Sequence, residues 1–152
     1  MSVTFDLELP PAAIGDALAR ADLTFYGLDH SGSSYRALIF FNNPSASASM
    51  SADAGSGYVG RFAVFGHGGC FGEAGHCEVV GPVNAFDRNH PHQLQPATRI
   101  VTVTSAVQDL VASGAKKVTV TVVPVVRKSA IAKESDADTI LTFDQVALHT
   151  YA

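Results

Sequence analysis

Residues 97–125 read ATRIVTVTSAVQDLVASGAKKVTVTVVPV, and their pattern decides the fold. Arg99 to Thr104 is a run of β-branched residues, the composition of a strand. It passes straight into a helix signal. Ser105 followed three positions later by Gln108 has the form of a capping box, and Val107, Leu110 and Val111 supply the apolar stripe. Gly114 is the stop, because glycine takes the left-handed conformation that ends a helix at little cost. Lys117 to Val126 then returns to strand character, with Thr119 and Thr121 alternating against valines. Pro124 cannot donate to a ladder, so it marks either an edge position or the end of this strand.

The same period of two recurs upstream. Val3, Phe5, Leu7 and Leu9 alternate with Thr4, Asp6 and Glu8, and Pro10-Pro11 ends that strand. Ala12 to Arg20 suits a short surface helix, which Gly15 weakens. Asp22 to Leu28 reads as a strand, His30 to Ser34 as a turn, and Tyr35 to Phe41 (YRALIFF) as a strand buried on both faces. Asn42-Asn43-Pro44 stops it. Ser45 to Gly57 is a patternless Ser/Ala/Gly stretch, read as an extended surface loop. Tyr58 to Phe65 alternates again, and Gly60 in its middle points to a bulge or a close backbone approach. Arg127 to Asp138 is a polar connection, and Thr139 to Tyr151 reads as the last strand. The expectation is an all-β fold: an antiparallel β-sandwich of about six or seven strands with one or two short helices. It forms a single domain over 1–152, without internal repeats, and carries one long Cys/His/Gly-rich loop at 66–97.

Composition narrows the function classes. The chain is 47% apolar and only 16% charged, which suits a well-buried sheet protein with a weakly charged surface. The net charge is -4 and the basic residues are scattered, so no nucleic-acid footprint is present. No apolar run has the length of a membrane span, and the start MSVTFDLELPP lacks the basic-then-apolar form of a secretory signal. The cytoplasm is therefore the favoured compartment, and a homo-oligomer is compatible with the sequence.

Both cysteines and four of the six histidines fall between Gly57 and Thr104. A loop that long and that rich in side chains able to bind metal is where function is expected. Three readings compete for it. The first is a loop pinned by a Cys70–Cys77 disulfide, or holding both as buried thiols, since intervening glycines let the chain close tightly. The second is a metal site. His67, Cys70, His76 and Cys77 form a Cys2His2 set suited to Zn(II) or Cu(I), and His90 and His92 can fold back toward them. The spacing H-x2-C-x5-H-C matches no standard zinc pattern, and adjacent His76-Cys77 fit one tetrahedral centre awkwardly. The third is a thiolate nucleophile, Cys70 or Cys77 beside His67 or His92 with Asp87 orienting the ring, and it lacks any hydrolase signature. Phe62, Phe65, Phe71 and Phe86 bracket the loop, and core packing is the favoured role for them over a ligand cleft. His30 and His149 read as isolated surface residues, and Asp6, Glu8 and Asp144 as carboxylates on a solvent face.

Taken together, YRALIFFNNP (35–44), GYVGRFAVFG (57–66), CFGEAGHCEVV (70–80), the His90-Pro91-His92 triplet and the 97–125 stretch form an ordered pattern. That pattern resembles the C-terminal β-sandwich domain of the type-3 copper family: tyrosinases, plant polyphenol oxidases and molluscan haemocyanins. The closest likeness is to bacterial tyrosinase-like proteins. Members that oxidise phenols hold a pair of coppers on a helical bundle preceding this domain. No helix here carries histidines at i, i+4 spacing, so the resemblance implies no oxidase activity and no catalytic residue. It implies a non-catalytic companion that covers or assists the copper site of a type-3 copper oxidase domain or subunit. The alternatives are a stand-alone copper- or zinc-delivery module using the His67/Cys70/His76/Cys77 loop and, more weakly, a Cys-dependent enzyme.

Overall fold

The computed structural model describes residues 2–11, 17–66, 96–126 and 140–152. Among them, the alternating stretches become seven strands in two antiparallel sheets. These are β1 (Val3–Glu8), β2 (Arg20–Leu28), β3 (Tyr35–Phe41), β4 (Tyr58–Val64), β5 (Ala97–Thr102), β6 (Lys117–Val125) and β7 (Gln145–Tyr151), with one helix, α1 (Thr104–Ala112), between β5 and β6. One sheet has the order β1-β6-β3-β4 and the other β5-β2-β7. The inward residues of both merge into one core, in which Leu23, Phe25, Ile39, Val120 and Val122 are fully buried. Removing a side chain such as Phe25 from water contributes roughly 1.5–3 kcal/mol. Its ring lies 4.8 Å from Phe62 across the sandwich and 5.6 Å, edge on, from Phe143.

β3 is buried on both faces, as its unbroken apolar run requires. Ala37, Ile39 and Phe41 face the main core, while Leu38 and Phe40 face the other way, under Ala46, Met50 and Tyr58. The 45–57 stretch therefore does more than run over the surface: it covers the outer side of the four-stranded sheet, and Ala46 is buried. Side-chain hydrogen bonds shape it. The Asn43 amide donates to the Ser56 carbonyl (2.7 Å), and Asp53 caps a short 3-10 turn at Ala54–Ser56 by accepting from the Ser56 amide (3.0 Å).

Helix α1 departs from expectation at its start. Val103 is the N-cap and no side chain caps the helix. The capping box does not form: the helix begins at Thr104, so Ser105 lies inside its first turn, and Gln108 serves a tertiary contact instead. The Thr104 hydroxyl accepts from the Ala21 amide (3.0 Å), and Gln108 Nε2 donates to the Leu18 carbonyl (2.8 Å), tying α1 to the start of β2. The C-terminus follows the pattern: Gly114, at φ +80°, donates to Val111, and Ala115 donates to Leu110. Val107 and Val111 are buried and Leu110 packs against the core.

Three boundaries also shift. β5 covers Ala97–Thr102, and β7 begins only at Gln145. Residues 140–144 are not strand: buried Ile140 and Leu141 plug the core, and the Thr142 carbonyl accepts from the Asp29 amide (3.0 Å). β6 is an interior strand, yet Pro124 holds a local edge position near its end, so the expectation is met. This proline sits beyond Val122, the last residue paired with β1, where β6 has only β3 as a neighbour. The mid-strand glycine meets both expectations, since the β3–β4 register slips between Ile39 and Phe40 opposite it, and its backbone abuts Val101. The short helix read within Ala12 to Arg20 and the Arg127 to Asp138 connection lie largely outside the described residues.

Candidate functional site at the loop end of the sandwich

The strand registers collect one set of chain ends. Tyr35 at the start of β3 pairs with Val64 at the end of β4, and Arg36 pairs with Val125 at the end of β6. Leu28 at the end of β2 pairs with Ala97 at the start of β5, and Tyr26 with Gln145 at the start of β7. The 29–34, 65–96 and 126–144 connections therefore leave from the same end of the molecule.

The roots of the Cys/His-rich loop are fixed there by specific bonds. Arg99 Nε on β5 donates to the Ala63 carbonyl of β4 (3.0 Å), joining the two sheets at their margin. The Gly66 amide donates to Ser34 Oγ (3.0 Å). Gly66 also lies so close to the Gly32–Ser33 backbone that no side chain fits.

Between these roots opens a cavity of about 490 Å³, lined by residues 34–36, 63–65 and 125–126. That is within the range of small-ligand and contact pockets. Phe65 stands on its rim at 78% exposure. Of the four bracketing phenylalanines, Phe62 is core as expected, and Phe65 is not: the strand's alternation turns it away from the main core. Phe71 and Phe86 lie outside the described residues. Tyr35, on the opposite parity from Arg36, is buried at 4% exposure, and its hydroxyl has no hydrogen-bond partner among the described residues. Burial pushes its phenol up to about 12; the Asp29 carboxylate adds to the shift and Arg99 opposes it. The phenol is accordingly neutral. This end of the molecule offers contact chemistry: an exposed ring, an apolar lining and the Arg36 guanidinium.

His67, Cys70, His76, Cys77, His90 and His92 all lie outside the described residues, as do the Cys70–Cys77 pairing and Asp87. Among the described residues no group of three or more His, Cys, Asp or Glu is placed to hold a metal. None of their helices is long and apolar enough to cross a membrane.

A polar cluster that sequence reasoning missed lies on the outer face of β5-β2-β7. Asp22 is only 4% exposed. Its carboxylate accepts from Arg20 Nε (2.8 and 3.0 Å to its two oxygens) and from the Thr102 hydroxyl (2.8 Å). The hydrogen bond from Arg20 is the main reason Asp22 titrates below the usual carboxylate range. Next along the same face, Tyr26 Oη and His149 Nε2 are 2.9 Å apart. His149 is therefore half-buried and bonded, not an isolated surface residue. A carboxylate inside an apolar strand was the available signal for Asp22, whereas the Tyr26–His149 pair had none, being 123 residues apart. Asp6, Glu8 and Asp144 are exposed as expected; Asp6 accepts from Thr119 Oγ1, and Glu8 pairs with Lys117 at 3.0 Å.

No protein-family model matches the sequence, and no curated protein matches it. Solved structures do. The chain is similar to a latent aurone synthase (polyphenol oxidase) from natural source, with 14% identity and a TM-score of 0.56 over 98% of this chain and 24% of that one. The recombinantly expressed latent enzyme matches at 15% identity and a TM-score of 0.53, over 98% and 23%. Co-crystallised with hexatungstotellurate(VI), it matches at 15% and 0.56, over 99% and 24%. The likeness is one of fold, and the chain spans about a quarter of the length of the structures it matches.

Proposed function

We propose that this chain is a non-catalytic companion domain of a type-3 copper protein, packing against the oxidase domain and covering or assisting its copper site. The observation that supports the reading most is the fit of nearly the whole chain to about a quarter of a latent polyphenol oxidase. The ordered sequence pattern from YRALIFFNNP to the 97–125 stretch agrees with it. In this reading the partner contact is made by the loop end, where Phe65 offers an apolar ring to a neighbouring surface.

The test combines the purified 152-residue chain with the copper-loaded domain of a bacterial tyrosinase lacking its own C-terminal sandwich. Calorimetry measures binding, and oxidation of a soluble catechol measures access to the copper pair. Binding with reduced turnover, or with improved copper loading of the oxidase apoprotein, supports the proposal. Absence of binding overturns it. Stoichiometric uptake of Cu(I) or Zn(II) by the chain alone, without any effect on the oxidase, would favour the stand-alone metal module. Hydrolysis of an activated ester, lost on Cys70→Ala or Cys77→Ala, would favour the Cys-dependent enzyme.

A further inference from the structure

Four strands form the sheet margins, and among the described residues they differ in how they discourage further pairing. β1 carries Asp6 and Glu8, with Lys117 of β6 bonded across it. β4 is interrupted by the register slip at Gly60 and carries Arg61. β5 carries Arg99, which bonds across to β4 and closes that side of the sandwich. β7 has none of these devices. Its sequence, QVALHTY, holds no ionised side chain when His149 is neutral, no proline and no register slip against β2. A regular, uncharged margin strand is a ready template for another strand, which is why proteins usually charge, bend or cover such edges.

Burial along β7 points the same way. Val146 and Leu148 belong to the inward-facing set and pack on the core, yet both stay partly exposed. Tyr151, on the outer face, is 52% exposed. Among the described residues, β7 is the last strand of its three-stranded sheet and pairs only with β2.

We infer that β7 is a self-pairing edge through which two copies of this chain associate, antiparallel about a two-fold axis, joining their three-stranded sheets into one continuous sheet. A second copy fits because the edge is complementary to itself. Centred on Leu148, the register sets Leu148 against its own copy, Val146 against Thr150, Ala147 against His149 and Gln145 against Tyr151. Each half-exposed apolar side chain gains a neighbour, and within β7 no like charges meet. The neighbouring Arg20–Asp22 pair is internally neutralised and adds no net repulsion. Self-pairing of this edge does not depend on the companion role.

Sedimentation equilibrium of the 152-residue chain over a range of concentrations tests it, together with hydrogen exchange of the β7 amides at low and high concentration. The expected result is a reversible dimer whose β7 amides become more protected as concentration rises. The double variant Gln145→Glu/Tyr151→Glu alters two exposed positions and sets glutamates opposite each other. It should weaken association by about tenfold or more, since like charges directly opposed across strands are destabilising. A chain that stays monomeric overturns the inference. So does a dimer whose β7 exchange is independent of concentration, or one that the double variant leaves unchanged. Protection of β7 by an added oxidase domain, without any concentration dependence, would assign the edge to that partner and likewise overturn self-pairing. The exchange measurement on the unaltered chain decides the matter even if the variant folds poorly.

Discussion

The backbone of Gly60 on β4 and the side chain of Val101 on β5 touch: a methyl group built on Gly60 would lie 2.6 Å from Val101 Cγ1. The contact brings the two sheets together near the margin that Arg99 also ties. Gly60→Ala should destabilise the sandwich by about 1–3 kcal/mol, the usual cost of overpacking a buried contact. The cost should shrink in a Val101→Ala background, because the clashing methyl is then gone. Urea unfolding of the four variants measures the coupling, and additive effects would contradict the contact.

Asp22 shares the acid limit with Asp29 and Asp53, whose carboxyls are likewise held below the usual range, by hydrogen bonds from Ser31 and Ser51. The Asp22 pKa is held below the ordinary value of 3.8, chiefly by the Arg20 hydrogen bond and further by Thr102. A carboxylate shifted downward stabilises the fold above its ordinary pKa, and that contribution is lost as pH falls through the lower folded value. Stability should therefore drop below about pH 4, and Asp22→Asn should flatten that drop in part. The same variant should cost about 1–3 kcal/mol at neutral pH by weakening charge-assisted bonds. Denaturant midpoints from pH 2 to 7 check both, and an unchanged acid slope in the variant would count against this role.

Tyr35 sets the alkaline limit, with the opposite sign. Its phenol is raised from 10.0 to about 12 by burial, so the folded chain holds the proton longer than the unfolded one. Stability should fall as pH rises from about 10 toward 12. Tyr35→Phe should remove that fall. It should also raise stability at neutral pH by up to about 1–2 kcal/mol, because the buried hydroxyl has no partner among the described residues and such a group is costly. A destabilised Tyr35→Phe would mean the hydroxyl is satisfied after all.

Phe65 separates stability from recognition. At 78% exposure it adds little to the core, so Phe65→Asp should shift stability by no more than about 0.5 kcal/mol. In the calorimetric experiment with the oxidase domain, the same change should weaken binding by tenfold or more, about 1.4 kcal/mol. Equal affinities would remove the loop end from the interface.

Thiol titration addresses the Cys70–Cys77 reading. No free thiol should react until a reductant is added, after which two should, and the purified chain should retain neither zinc nor copper. One metal per chain with both thiols protected would replace the bridge by a metal site. With the bridge lost, a Cys70→Ala/Cys77→Ala variant should be less stable by about 2–3 kcal/mol, because closing so short a loop constrains the unfolded chain.

Residue order was enough to find the strands, helix α1 and its glycine stop. Alternation of apolar side chains is a local property, and it specifies which face of a strand leaves water. It also marked Gly60, because a β run that gives up a side chain in its middle does so where the backbone bends or another chain segment comes close. What those faces meet was settled only by packing. The 45–57 stretch has no period of its own, and its Ala46 is buried because Leu38 and Phe40 need a cover. Ser105 and Gln108 carry a capping pattern, but Gln108 bonds Leu18 and the helix starts without a side-chain cap, and no local rule weighs that competition. Tyr26 and His149 become partners, and Asp22 a buried ion, only when β2 lies between β5 and β7. Strand order is an outcome of non-local hydrogen bonding and burial, and a period-two pattern fits equally well beside any neighbour.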